Sequence, residues 1–149
     1  MILKLNVDGT VERVECSDES VWNVCRKELV GGFIEPVYLD RAGMVMMVDE
    51  DGYEKKLPVN KTASLIYNKV FNAEHFILGT VVFCYIDRDG ENFVNIPVGK
   101  AVALVAMLEQ FTRDAEKVEV PYPLPEPKVE IVGFDSTEQM IEYLKGGSK

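Results

Sequence analysis

The chain is short of positive charge. Its 149 residues include 16 Lys and Arg against 25 Asp and Glu, which gives a formal net charge of −9. This deficit argues against a nucleic-acid binder that depends on a broad basic field. The acids are interleaved with Lys and Arg rather than gathered in one stretch, which also argues against mimicry of a nucleic-acid backbone. We therefore expect an acidic surface and no direct nucleic-acid partner.

Cysteine and histidine are also scarce. Cys16, Cys25 and Cys84 form an odd set without a short paired spacing, and His75 is the single histidine. This usage is typical of buried thiols in a reducing compartment, and it supplies neither a disulfide framework nor a zinc ligand set. The longest apolar run, residues 101–108, is too short to cross a bilayer, and no charged-then-apolar leader opens the chain. We expect a cytoplasmic protein with no metal, no cofactor and no membrane partner.

Catalytic signatures are missing as well. Serine nucleophile elbows, Walker loops and dinucleotide fingerprints are absent from the sequence, and the lone histidine completes no triad unless it pairs with a thiol. The acidic loops at residues 49–52 and 87–90 place glycine at the fourth position, whereas a calcium loop needs it at the sixth. These loops are predicted to be hairpin turns, and Glu109 and Glu116 are predicted to be solvated carboxylates. We expect a protein that is not an enzyme.

What remains is the pattern of a globular α+β domain with a mostly antiparallel sheet packed by helices. The composition, 47% hydrophobic and 28% charged, is that of a folded domain. Alternating apolar residues around Asp8 and Gly9 predict a hairpin. The first helix is predicted to follow an N-cap at Ser17 and to end at Gly31 and Gly32. Strands are predicted over residues 2–7, 10–14, 33–39, 44–48, 53–57 and 76–86, and helices over residues 21–30, 61–71 and from Pro97.

The C-terminal third predicts a buried helix followed by an extension. Residues 101–108 are apolar on nearly every side, so this helix is expected to be buried against the sheet or between subunits, which favours a homo-oligomer. Prolines alternate with other residues between positions 121 and 127, as in an extended linker. We therefore divide the chain into an α+β domain, 1–118, and a proline-linked extension, 119–149. The extension is predicted to contain a strand over residues 129–134 and a short helix capped by Ser136 or Thr137.

Three segments carry a resemblance to a known family. They are Leu-Val-Gly-Gly-Phe-Ile-Glu at residues 29–35, Leu-Pro-Val-Asn-Lys-Thr-Ala at residues 57–63, and Ile-Leu-Gly-Thr-Val-Val at residues 77–82. In this order and spacing they resemble the domain of unknown function 3846 family over about residues 1–86. The resemblance implies a small protein of bacteria, plasmids or phages, in a setting where such a protein acts against host machinery or regulates it. It implies no particular chemistry.

Anion binding is the ligand chemistry that the pattern favours. Two predicted helices open at residues 60–64 and 97–100, where unpaired N–H groups and the positive end of the helix dipole attract a phosphate. Aromatic rings near the double glycine are suited to stacking on a base. The alternative interpretation is plain helix capping. The predicted ligand-binding residues are Gly31, Gly32, Phe33, Tyr38, Asn60, Lys61, Thr62, Ser64, Gly99 and Lys100.

The residue pattern, together with the mobile-element setting that the resemblance implies, leaves three hypotheses for the function. In the first, a non-catalytic mobile-element protein sequesters a small phosphate-bearing ligand, such as a nucleotide immune signal. Lys61, Thr62 and Lys100 hold the phosphates in this hypothesis, while Phe33 or Tyr38 stacks on the base. In the second, the chain is an inhibitor or adaptor that meets a host protein through its acidic face or proline segment. The third, a hydrolase or transferase, predicts turnover of the nucleotide.

Overall fold

A computed structural model describes residues 1–16, 19–29, 33–124 and 138 of the chain. The described residues form six strands and three helices, and the α+β class expected from the sequence is confirmed. In chain order the elements are β1 (Ile2–Leu5), β2 (Val11–Val14), α1 (Val21–Glu28), β3 (Ile34–Tyr38), β4 (Met44–Asp49), α2 (Lys61–Phe71), β5 (Val81–Ile86), β6 (Phe93–Val94) and α3 (Val98–Ala115).

The six strands form one sheet, in which five follow the order β2-β1-β5-β4-β3 and β6 lies off this path. Every described strand pair is antiparallel, and β6 pairs with the last two residues of β5. The apolar strand β5 lies at the centre, and five of its six residues are buried. A strand that is apolar at consecutive positions is expected where both faces of a sheet are covered. The expected antiparallel sheet is therefore confirmed.

Helices cover both faces of this sheet, because side chains along each strand alternate between the two faces. One face packs against α2 and α3, and its buried strand residues are Leu3, Leu5, Met46, Val48, Val81, Phe83 and Tyr85. The other face packs against α1, and its buried strand residues are Ile2, Ile34, Val45, Met47, Val82 and Cys84. The sheet is thus the middle layer, with two helices on one side and one on the other.

Two predicted strands are wrong in whole or in part. Residues 53–56 form turns and Leu57 is irregular, so the predicted strand is absent here. Lys56 has a φ of 54°, which strand backbone does not adopt. Residues 76–80 precede the strand instead of belonging to it, apart from an isolated bridge between Leu78 and Val59. Gly79, within this stretch, has a φ of +83°, which strand backbone does not adopt.

The first helix begins at Val21, the start of the predicted range 21–30, but its N-cap is not the predicted Ser17. Its N-cap is Ser20, whose hydroxyl accepts a hydrogen bond from the Asn23 N–H at 3.2 Å. The predicted cap, Ser17, lies outside the described residues, and so do Gly31 and Gly32. The helix therefore has no acidic residue in its first turn.

Residues 101–108 are apolar on nearly every side, but only one face of α3 is buried within the chain. Its buried residues are Ala101, Leu104, Leu108 and Ala115, which form one stripe at the helical spacing. Val102 lies off this stripe with 74% of its surface exposed, and Val98 in the first turn is 94% exposed. The helix packs on the sheet through a single face, and the homo-oligomer inferred from its burial stays a prediction.

The free edge of β3 contains a proline. The Leu39 N–H donates to the Met44 carbonyl, and the Glu50 N–H donates to the Phe33 carbonyl. In this register the backbone N–H and C=O groups of the odd-numbered residues of β3 face β4, and those of the even-numbered residues face away from it. Pro36 therefore lacks its N–H on the outward side, where no strand partner needs it. This placement blunts the edge against pairing with another strand.

No helix in the described ranges combines the length and the apolar character needed to span a bilayer. The strand predicted over residues 129–134 and the helix capped by Ser136 or Thr137 lie outside the described residues. The division of the chain at residue 118 stays a prediction.

Candidate functional site

Asn60, predicted to open α2, is a buried cross-link as well as a helix cap. Its Oδ1 accepts a hydrogen bond from the Ala63 N–H at 3.0 Å. Its Nδ2 donates to the carbonyls of Leu5 at 3.2 Å and Gly79 at 3.0 Å. The residue has no exposed surface. Asn60 thus joins α2 to β1 and to the segment before β5, and its polar atoms are satisfied within the protein.

The neighbouring hydroxyls are engaged in the same way. Ser64 is buried, donates to the Asn60 carbonyl at 2.8 Å and accepts from the Ile77 N–H at 2.8 Å. The Thr62 hydroxyl lies 3.1 Å from that of Thr112 on α3, and Thr62 is 3% exposed. The side chains of Asn60, Thr62 and Ser64 therefore hold α2 in place, which matches the capping interpretation.

Lys61 is half-buried and lines a small cavity of about 230 Å³ together with Asp8 and Glu116. Hydrogen bonds from the Thr10 hydroxyl and N–H lower the pKa of Asp8, so its carboxylate is charged at neutral pH. The two carboxylates offset the positive charge of the lysine at this position. The cavity is consequently less suited to a phosphate than the sequence indicates.

Lys100 lies elsewhere. It precedes Thr112 along α3 by twelve positions (100 to 112), and at 1.5 Å per residue this is roughly 18 Å along the helix. Thr112 is the residue that contacts Thr62, next to Lys61. Gly99 and Lys100 are exposed, and a Cβ at Gly99 would have no atom within 4 Å. The two lysines do not border one pocket.

The predicted stacking rings, Phe33 and Tyr38, are 74% and 51% exposed. Tyr38 pairs with Val45 in the sheet register. Directly paired residues point to the same face, and Val45 belongs to the face that α1 covers. Tyr38 is therefore separated by the sheet from Lys61 at the start of α2. The predicted residues 60–64 therefore lie together at the start of α2. Tyr38 lies on the α1 side of the sheet, and Lys100 lies in the first turn of α3.

A pocket that sequence reasoning missed lies between the β3–β4 hairpin and α2. Its volume is about 230 Å³, and we call it the aromatic pocket. Strand β3, the end of β4, the turn after β4, α2 and the connection to β5 all contribute to it. It is lined by Glu35, Val37, Val48, Asp49, Glu50, Gly52, Tyr53, Tyr67, His75, Phe76, Ile77 and Leu78.

His75 lies near two tyrosines in this pocket. Its ring centroid is 5.3 Å from that of Tyr67 and 6.4 Å from that of Tyr53, and the rings are tilted by 46° and 45°. These distances are within the range of favourable aromatic pairs. Asn68 on α2 fixes the His75 backbone through two hydrogen bonds. Helix α2 thus supplies one ring and positions another.

The electrostatics of the aromatic pocket favour neutral rings beside negative charge. Burial lowers the pKa of His75, and the Glu35 carboxylate partly opposes this shift. Burial also raises the pKa of Tyr53, so both rings are uncharged near neutral pH. Asp49 is nearly covered and is paired with Lys55 at 2.7 Å, whereas Glu35 and Glu50 are exposed at the border.

The sequence carries a weak signal for this pocket. The positions 53, 67 and 75 have no common period, and the histidine by itself is most simply interpreted as a surface or strand-start residue. Their proximity depends on the chain returning from α2 to the sheet. Among the described residues, no three His, Cys, Asp or Glu side chains are grouped so that they could hold a metal ion.

One comparison with known proteins identifies a family for the chain. The family described as Domain of unknown function (DUF3846) matches residues 2–111. This match includes every described strand and most of α3, so it extends beyond the 86 residues over which the resemblance was expected. Neither a curated protein nor a solved structure matches the chain. Since the match spans well over half of the sequence, the chain belongs to the DUF3846 family.

Proposed function

We propose that this chain is a non-catalytic binding protein that docks a basic region of a partner protein on its acidic surface, as an inhibitor or adaptor. The observation that carries the proposal is the aromatic pocket, where Glu35 and Glu50 border the rings of Tyr53, Tyr67 and His75. The formal net charge of −9 favours the approach of a positively charged partner.

Sequestration of a phosphate-bearing ligand is the competing hypothesis. Its support is weaker for two reasons. Lys61 lies beside Asp8 and Glu116, and Lys100 lies in the first turn of α3, roughly 18 Å along the helix from the Thr112 that contacts Thr62. The aromatic pocket gives the nucleotide hypothesis little support. Its volume of about 230 Å³ is below the range of about 300–1,000 Å³ that is usual for small-molecule sites, and its border is negative.

The setting we propose is a phage or plasmid whose product acts in the cytoplasm on a host defence or nucleic-acid enzyme. This setting rests on the family resemblance and on the acidic surface. We also expect a homo-oligomer, for which the exposed Val98 and Val102 of α3 offer an apolar surface. Both expectations belong to the proposal.

Fluorescence anisotropy with a labelled peptide of alternating Arg and Gly tests the function. We expect binding that weakens as salt is raised, since exposed charges are screened, and no binding of the matched peptide of alternating Glu and Gly. Replacing Glu35 and Glu50 together by glutamine should weaken binding more than the same change at Glu91 and Glu109, which are exposed and lie outside the aromatic pocket.

Mass spectrometry of molecules released by heating the cell-purified protein tests the competitors. A nucleotide that is released intact and raises the melting temperature when added back would overturn the proposal in favour of sequestration. Conversion of that nucleotide would favour the hydrolase or transferase. Absence of any nucleotide, together with salt-dependent peptide binding, is the result we expect.

A further inference from the structure

The aromatic pocket has the size of a single side chain. At about 230 Å³ it is smaller than the sites that enclose drug-sized molecules. Two of its lining residues, Glu35 and Val37, belong to β3, which is an edge strand with β4 as its described neighbour. A segment of another protein can therefore lie across this edge and insert one side chain without displacing any described strand.

The rings of the pocket favour a cation. The faces of aromatic rings carry negative electrostatic potential and attract ammonium and guanidinium groups. His75 belongs to this wall because its ring contacts both Tyr53 and Tyr67. Since burial lowers the pKa of His75, the imidazole is neutral near pH 7 and does not repel a positive group. Tyr53 is anchored weakly, with its hydroxyl 3.5 Å from the Phe76 carbonyl.

Carboxylates add charge and direction. Glu35 pairs with Val48 in the sheet register, and Val48 belongs to the core on the α2 side, so Glu35 projects to the face of the sheet that carries the pocket. Asp49 is already paired with Lys55. Glu35 and Glu50 are therefore the carboxylates that an incoming cation meets at the border.

We propose that the aromatic pocket receives the guanidinium group of an arginine side chain from the partner protein. The guanidinium plane stacks against the tyrosine and histidine rings, and its N–H groups donate hydrogen bonds to the Glu35 carboxylate. Arginine fits better than lysine, because its planar fork pairs with a carboxylate through two bonds and stacks on rings. This inference rests on the proposed function and names the residue that the site recognises.

Isothermal titration with a peptide that contains one Arg among Gly and Ser residues tests the site, and the same peptide with citrulline is its neutral, nearly isosteric control. We expect Arg to bind at least about tenfold more tightly than citrulline, a difference of about 1.4 kcal/mol. Glu35→Gln should remove most of this preference. Glu109→Gln, an equal change of charge on the exposed side of α3, should leave it intact.

Two substitutions at Tyr53 distinguish the contribution of its ring from that of its hydroxyl. Tyr53→Phe keeps the ring and should bind the Arg peptide as the native protein does, whereas Tyr53→Leu should lose about tenfold in affinity. Thermal unfolding of each variant shows whether it is folded. Nuclear magnetic resonance of the folded variants locates the chemical-shift changes that the Arg peptide causes, and we expect these changes at His75 and Tyr67.

The outcomes distinguish the site from the general function. If the alternating Arg and Gly peptide binds but Glu35→Gln and Tyr53→Leu bind it as tightly as native protein, the arginine site is wrong and the acidic surface acts without it. If a lysine peptide equals the arginine peptide, the guanidinium assignment is wrong. If no basic peptide binds, the proposed function itself fails.

Discussion

Asn68 holds His75 by both of its backbone groups: the Asn68 Oδ1 accepts from the His75 N–H at 2.9 Å, and the Asn68 Nδ2 donates to the His75 carbonyl at 3.0 Å. A side-chain amide here imitates a strand partner. The contact fixes the segment after α2, and through it the His75 ring, which lies near both Tyr53 and Tyr67. The geometry of the aromatic pocket therefore depends on a residue outside its lining.

Replacing Asn68 by alanine should lower the free energy of unfolding by about 1–3 kcal/mol, since a partly buried N–H and a carbonyl lose their partner together. Chemical denaturation measures this loss. Asn72→Gly is the matched control at the end of α2, because Asn72 has a φ of 49° that glycine adopts without cost. Equal losses in the two variants would show that the Asn68 contact contributes little.

Asn60 gives a sharper test of capping against cross-linking. Aspartate caps helices as well as asparagine does, so Asn60→Asp keeps the acceptor for the Ala63 N–H. It removes the amide donor to the carbonyls of Leu5 and Gly79 and leaves a buried negative charge beside them. We expect a loss of at least about 2 kcal/mol in denaturation, in excess of any capping effect. Unchanged stability would reduce Asn60 to a cap.

The difference between these roles explains what the sequence could predict at α2. Capping is local, and the sequence alone placed Asn60 at the helix start correctly. The donors of Asn60 reach carbonyls 55 and 19 positions away, and no local pattern records those partners. An N-cap that is free to bind a ligand and one that is bonded to the sheet therefore look identical in sequence.

The same distinction holds for the strands and the pocket. The sheet could be predicted from the glycine turns and from the apolar runs of β4 and β5, because hydrophobic period and turn chemistry depend on only a few neighbouring residues. Residues 76–78 are also apolar, yet they lie outside the strand, because Gly79 has a positive φ and Ser64 is hydrogen-bonded to Ile77. The burial of one side of α3 and the meeting of Tyr53 with His75 depend on tertiary packing, which periodicity does not encode.

Gly43 is a position where the turn between β3 and β4 requires glycine. Its φ is +105°, and a Cβ there would lie 2.8 Å from the backbone carbonyl oxygen of Ile86. Gly43→Ala should destabilise the fold by about 1–3 kcal/mol from backbone strain, with the clash added. Gly90→Ala is the control, because its φ is +71° but a Cβ would have no neighbour within 4 Å. Differential scanning calorimetry should show the larger loss of stability for Gly43→Ala. Equal losses for the two variants would show that the clash with Ile86 does not contribute.

His75 should make the stability of the fold depend on pH in a narrow window. Burial lowers its pKa from the ordinary value of 6.5, so below pH 6.5 the unfolded chain binds a proton that the folded chain does not. Stability contributed by the neutral ring is therefore complete above pH 6.5 and declines as the pH falls toward the lowered pKa. Glu35, Glu50 and the Asp49 that is paired with Lys55 line the same pocket as this ring, and Glu74 precedes it in the chain.

Urea denaturation across that window measures the effect, with His75→Phe as the comparison. Phenylalanine keeps an aromatic ring against Tyr53 and Tyr67 but takes up no proton, so the decline just below pH 6.5 should flatten. The lowered pKa values of Asp8 and Asp87 act near and below their ordinary value of 3.8, which separates their contribution from that of the histidine. A decline of the same steepness in both proteins would assign it to other groups and leave His75 without a role in the pH dependence.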